Sequence, residues 1–156
     1  MKKLLFVGMS LILSGCAGLF NGPDCRLSED EYVSKIAEAK LEGIVHFDDG
    51  KADLKEKDLR IISDVAAKTT DNAILVVYGH ASHRTRTKDP IQRILVNIDI
   101  SNERAVNTAK ALVAAGVPVD KINTFAMFDS RPVKKEVTRA DEAANRRAEI
   151  YLYRFK

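Results

Sequence analysis

Ala73-Ile74-Leu75-Val76-Val77-Tyr78 is an unbroken apolar run rich in β-branched residues, and its reading decides the fold. A run with no polar residue at alternate positions describes a strand shielded on both faces, or one at the centre of a sheet. Just upstream, Asp71-Asn72 breaks a helical pattern. That pattern opens at Asp53 with Glu56 and places Leu59, Ile62, Val65 and Ala66 on one side. Before it, Gly43-Ile44-Val45-His46-Phe47 is a short apolar run ending at the turn Asp48-Asp49-Gly50, and reads as another strand. Strand, helix and strand make a crossover unit, which predicts that the two strands run parallel.

Downstream, Gly79-His80-Ala81-Ser82 ends the central strand, and His83-Arg84-Thr85-Arg86-Thr87-Lys88-Asp89-Pro90 is a polar loop. Its basic run suits either an anionic polymer or plain solvent. Residues 91–96 form a turn or short helix leading to Asn97. Ser101 then reads as a helix N-cap, with Ala105, Val106, Ala109, Leu112 and Val113 on one face behind it. Gly116 followed by Pro118 stops this helix. Arg104 is thereby predicted in the first turn. Free backbone N–H groups at a helix start attract anions, and an arginine fork there grips a carboxylate through two parallel bonds. Asp89 lies fifteen residues before Arg104, and Asn97 seven before it. An arginine, a carboxylate and an amide together suit a zwitterionic ligand such as an amino acid. The plain alternative is an arginine on a solvated helix face.

Residues 122–128 alternate enough for a third strand, and Asp129-Ser130-Arg131-Pro132 is a turn. Residues 138–145 are polar and helical in character. Ala148-Glu149-Ile150-Tyr151-Leu152-Tyr153 alternates as a strand with one wet face. The order is β-α-β-α-β-(α)-β, an α/β two-layer sandwich of a sheet packed on helices.

The chain begins with Met1-Lys2-Lys3, then an apolar run from Leu4 to Leu13 that, at about ten residues, is too short to span a bilayer. Leu13-Ser14-Gly15-Cys16 follows, so residues 1–15 read as a secretory signal outside the fold. The stretch resembles a bacterial lipobox, which implies that Cys16 carries the lipid and starts the mature chain. The alternative is an ordinary signal peptide with a chance cysteine. Stable anchoring takes two or more acyl chains, and lipoproteins of this type carry several. Ala17 rather than aspartate after the cysteine favours the outer membrane over the inner. Residues 16–42 read as a linker and a short helix. Ser28-Glu29-Asp30-Glu31 is a capping box, and Tyr32, Val33, Ile36, Ala37 and Leu41 form the stripe of a helix over 28–41. Residues 43–156 are the folded domain. About 140 residues after the signal suffice for one domain with a core. The composition is 46% hydrophobic and 30% charged, and the formal charge of +3 includes the two signal lysines. That near-neutral balance argues against nucleic acid as a partner. With Cys16 used, Cys25 has no internal disulfide partner.

Several segments resemble, in order, the OmpA-like peptidoglycan-binding domain in its lipoprotein form. They are Ile44-Val45-His46-Phe47, Gly79-His80, Asn97…Ile100-Ser101…Arg104-Ala105, Gly116-Val117-Pro118 and Asn145-Arg146-Arg147-Ala148-Glu149-Ile150. The resemblance spans residues 43–153 and implies a mixed-sheet α/β sandwich. It implies non-covalent binding of the diaminopimelate-containing peptide stem of peptidoglycan, with an aspartate on the ligand ammonium and an arginine on a carboxylate. Arg104 matches that arginine, and Asn97 and Ser101 match its motif neighbours. After Gly-His the family has Thr-Asp, where this chain has Ala81-Ser82 and a longer loop. Asp89 keeps the family's spacing to the arginine, and Ser82 occupies the position next to Gly-His. Residues 125–128 replace a glycine-containing turn. The implied protein is lipid-anchored in the outer membrane, faces the periplasm and contacts peptidoglycan.

Two other classes compete. His80, His83, Asp89 and His46 fit no standard zinc spacing, and no nucleophile triad or phosphate loop is present, so neither catalysis nor a cofactor is expected. An envelope scaffold that keeps the fold but binds other envelope proteins, through residues 28–41 or the basic loop, is the alternative function.

Overall fold

The computed structural model describes residues 39–155. The signal, Cys16, the linker with Cys25 and the body of the predicted 28–41 helix lie outside them. The end of that helix does not: Lys40 and Leu41 belong to strand β1 (Lys40–His46), so the sheet starts three residues before the expected domain boundary at Gly43. The remaining elements are α1 (Glu56–Ala67), β2 (Ala73–Gly79), α2 (Pro90–Ala114), β3 (Ile122–Ala126), α3 (Arg139–Asn145) and β4 (Arg147–Arg154). The α/β sandwich is as expected.

The four strands form one mixed sheet in the order β1-β4-β2-β3. β2 is interior, paired parallel to β3 and antiparallel to β4. β1 and β2 do point the same way, because each is antiparallel to β4. They are not neighbours, since β4 lies between them. Leu75 and Val76 are both fully buried, but different layers shield them. Leu75 and Val77 join Val45, Ile62, Val65, Ala105, Leu112 and Ile150 in the core. Val76 lies opposite Tyr151 in the register. Tyr151 packs edge-on against Tyr78 at 5.6 Å, and Tyr78 stacks on Phe125 at 5.4 Å. The second face of the sheet thus carries aromatic rings, whose large apolar area screens it where the helices do not.

Both long helices start elsewhere than their local patterns suggest. The N-cap of α1 is Lys55 rather than Asp53, with the Asp58 carboxylate accepting the Lys55 N–H at 3.0 Å. The buried side of α1 runs through Asp58, Ile62 and Val65, leaving Leu59 47% exposed. α2 begins at Pro90, a full three turns before Ser101. Asp89 is its N-cap, accepting the Ile91 and Gln92 N–H groups at 2.8 and 3.3 Å. A capping carboxylate followed by proline at the first helical position is a stronger start than a lone serine. Residues 91–96 therefore continue straight into α2. Its early turns leave Ile91, at 71%, and Ile94, Leu95 and Ile98 exposed. The helix stops as expected, with Gly116 at φ 99° and the Val117 N–H donating to the Leu112 carbonyl at 3.1 Å. Among the described residues, no helix is long and apolar enough to cross a membrane.

Candidate functional site

α2 crosses the end of β2 so closely that only glycine fits at the contact. A Cβ on Gly79 would sit 1.9 Å from the Ser101 carbonyl oxygen. Ser101 is therefore a mid-helix packing residue and not a cap. Its hydroxyl donates to the Ile98 carbonyl at 2.9 Å and accepts the Phe128 N–H at 3.1 Å. Phe128 adopts a left-handed φ of 37°, where an ordinary side chain is disfavoured. Its carbonyl accepts the Ala81 N–H at 2.8 Å, so both of its backbone groups are held.

One turn further along, Arg104 is only 1% exposed. It is not at the start of its helix, and a helix N-terminus plays no part in its environment. The guanidinium is held by backbone carbonyls: Nε donates to Lys51 at 3.0 Å, Nη1 to His80 at 2.8 Å and Nη2 to Asp48 at 3.4 Å. It lies 5.4 Å from the Phe47 ring centre. Burial, and then the nearby charge of Arg146, lower its pKa to about 10, against the pull of Asp49 and Glu103. It stays charged at neutral pH. Three of its five N–H donors are used, leaving two for a ligand.

Arg104 forms part of the floor of a cleft of about 650 Å³, bounded by the 48–51 turn, the loop after β2, the middle of α2 and the junction of α3 with β4. Asn97 shares this lining, is 2% exposed, and its Nδ2 has no partner. Buried amide groups normally find one, so this donor stands out among the residues of the cleft. Ser82 also lines the cleft, with its hydroxyl donating to Glu136 at 2.9 Å. Asp89 and Ser101 are not in the lining. The carboxylate of Asp89 is occupied as the cap of α2, so its spacing to Arg104 does not translate into a place beside it.

A latch spanning distant residues shapes the wall at Ser82. Asn145 accepts the Val133 and Lys134 N–H groups and donates to the Glu136 carboxylate at 2.8 Å. Glu136 in turn accepts Ser82 Oγ and the His83 and Arg84 N–H groups. Burial opposes its ionisation, but these bonds prevail and hold its carboxyl below the usual range.

The model of the OmpA family matches residues 46–146. The chain belongs to the OmpA family. Among solved structures it is similar to the peptidoglycan-associated lipoprotein of Burkholderia pseudomallei, at 18% identity and a TM-score of 0.60, covering 76% of this chain and 92% of that one. The cell wall anchor of the T6SS from Pseudomonas aeruginosa aligns at 20% identity and a TM-score of 0.59, covering 78% and 92%. The C-terminal domain of Helicobacter pylori MotB aligns at 15% identity and a TM-score of 0.61, covering 72% and 85%. No curated protein sequence matches the chain.

In this OmpA-family domain two of the histidines face carboxylates. His80 is buried with Nε2 3.5 Å from the Glu149 carboxylate, and His83 contacts Asp129 at 2.6 Å. Among the described residues no group of three or more His, Cys, Asp or Glu is placed to hold a metal ion. Glu149 is held at about 2 by the His80 imidazole 3.5 Å away, against the opposing effect of burial, with the Arg147 hydrogen bond adding to the shift. Its folded value lies below its ordinary value of 4.5. The stability it supplies is therefore complete above about pH 4.5 and lost as pH falls toward 2. Glu149→Gln should lower the urea midpoint at pH 7 and flatten the acid loss of stability across that window. An acid limb of unchanged steepness would count against this pairing.

Arg146, Arg84, Arg86, Lys51, Asp49 and Glu142 complete the charged lining. Of these, Arg146 was signalled by its place in the Asn-Arg-Arg segment, and the loop arginines only by their charge. Nothing local marks Lys51 or Asp49, whose turn is brought to the cleft by the carbonyl bonds to Arg104.

Proposed function

We propose that this OmpA-family chain binds the diaminopimelate-containing peptide stems of peptidoglycan non-covalently and tethers the envelope to the cell wall. The observation that carries this reading is the pairing, on one cleft floor, of a buried arginine with spare donors and a buried amide with no partner. Two of the similar structures are named for peptidoglycan or for the cell wall, which supports it. Arg104 and Asn97 contact the ligand. Ser101 and Asp89 act one step back, Ser101 by fixing the turn at Phe128 and Asp89 by starting α2. The reading assigns no catalytic step.

The test is co-sedimentation of the purified protein with isolated sacculi. Wild type should sediment, and Asn97→Ala, checked for folding, should bind about tenfold or more weakly, the value of a hydrogen bond to a charged group. A folded wild type that stays in solution refutes the proposal. The lipid part rests on Leu13-Ser14-Gly15-Cys16. In this reading the chain is an outer-membrane lipoprotein acylated at Cys16, with its domain in the periplasm. Cys16→Ser should leave the membrane fraction, and retention there with normal cleavage would refute the anchor.

A scaffold function is the second reading, favoured by the exposed Ile91, Ile94, Leu95 and Ile98 at helical spacing on α2. Such a stripe suits a partner groove. It gains if folded protein ignores sacculi.

A further inference from the structure

We infer that Glu142 receives the ammonium group of the ligand, and that Arg84 stands in for that ammonium until the ligand arrives. The inference rests on the peptidoglycan reading and deepens it by naming the residue. The resemblance puts this contact on an aspartate just after Gly-His. There this chain has Ser82, whose hydroxyl already donates to Glu136. The carboxylate comes instead from a different element, the first turn of α3.

Glu142 lines the cleft together with Arg104, Asn97, Arg84 and Arg146. Its side chain is only 12% exposed, and its Oε1 is buried without a hydrogen-bond partner. A buried carboxylate oxygen normally accepts at least one such bond. Arg84 Nη1 lies 2.8 Å from this oxygen as an ion pair, out of line for a hydrogen bond. Arg146 Nη1 lies 3.9 Å from Oε2. The Arg84 side chain is 62% exposed, so water competes for its charge and the pair adds little stability. Its backbone N–H is held by Glu136 at 3.3 Å. Arg84 can therefore leave by rotation of its side chain alone, with the loop in place. A primary ammonium is compact and carries three rotatable donors, so it aligns on an oxygen that a planar guanidinium does not.

The other acids nearby are placed for other work. Asp49 is exposed on the rim turn, where water screens its charge. Asp48 is paired with Lys55 at 2.6 Å. Glu103 is exposed outside the lining, and its charge acts on Arg104. Glu136 is filled by donors from Ser82, His83, Arg84 and Asn145. Asp89 caps α2 outside the lining. The cleft thus has one buried acidic point, Glu142, and a floor of donors at Arg104 and Asn97. Arg146 is near both, since its charge also depresses the pKa of Arg104. The free end of diaminopimelate carries one ammonium and one carboxylate, and each gains a charge-assisted bond in this arrangement.

The experiment titrates full-length protein in detergent with two probes. They are the tripeptide L-Ala-γ-D-Glu-diaminopimelate and the same peptide acetylated on the distal amine. Wild type should lose about tenfold or more on acetylation, the value of a hydrogen bond to a charged group. Glu142→Gln, its fold checked by the urea midpoint, should bind the parent peptide about tenfold or more weakly. It should then lose less than about threefold on acetylation, because both changes remove one contact. Arg84→Ala should bind the parent peptide about threefold or more tightly, since no stand-in has to be displaced, and should gain nothing toward the acetylated one. A wild-type loss under about threefold on acetylation, or equal acetylation losses in wild type and Glu142→Gln, overturns the inference and leaves the peptidoglycan reading standing. A loss of about tenfold in Asp49→Asn with none in Glu142→Gln moves the contact to the rim and overturns it as well. Unchanged or weaker binding by Arg84→Ala overturns the role of Arg84. Binding of neither peptide, with no sedimentation on sacculi, removes the peptidoglycan reading and the inference with it.

Discussion

Gly79→Ala should cost about 3 kcal/mol or more, above the usual range for overpacking, because the clash is with backbone. The added methyl would lie 1.9 Å from the Ser101 oxygen and 2.9 Å from the Ala105 nitrogen. No side-chain rotation relieves either contact. α2 must withdraw from β2, and the buried faces of Ala105 and Leu112 withdraw with it. Domains of this size hold only about 5–15 kcal/mol of stability, so the variant should show a far lower urea midpoint or no folded baseline. A midpoint equal to wild type would show that the helix does not approach the strand so closely.

Arg104→Ala should be nearly as damaging, and for a reason separate from binding. Its removal leaves the carbonyls of Lys51 and His80 without the guanidinium donor, while that of Asp48 keeps the Lys51 N–H. Each buried group stripped of a partner costs about 1–3 kcal/mol, and part of that returns if water enters the space. A total loss of about 3–5 kcal/mol is expected. Arg104→Lys keeps the charge but not the planar fork, so it should fall between alanine and wild type. Urea unfolding of the three proteins checks the order. Equal midpoints for alanine and wild type would reduce Arg104 to a ligand contact. If the order holds, binding losses in Arg104→Ala cannot be read as lost ligand contacts alone.

Most of the fold was legible because the four strands carry the signals that strands carry. Residues 73–78 are apolar throughout since β2 is interior, and β4 alternates since its two faces differ. Strand order was not legible, because nothing near residue 45 records that its partner is Ala148. The start of α2 was misplaced for a physical reason. Asn97, Ser101, Arg104 and Thr108 all lie on its buried face, so polarity interrupts the apolar period there. Asp89-Pro90 is the true start, and the spacing to Arg104 does not bring Asp89 into the lining of the cleft. Arg104 and Asn97 were singled out through their motif, and both line the cleft. The Ser82–Glu136–Asn145 latch was not, since its bonds join residues far apart in sequence.

The position of β4 also bears on when the chain becomes a folded body. β1 joins the sheet only through β4, and Val45 waits for Ala148, a contact separated by roughly a hundred residues, which slows folding. Until the last strand emerges, β2 and β3 form a two-stranded pair with both edges open, and β1 has no strand partner. Such fragments are marginal alone. A domain emerging N-terminus first, from a ribosome or through a narrow pore, therefore stays threadable until β4 has passed, and then closes in one step.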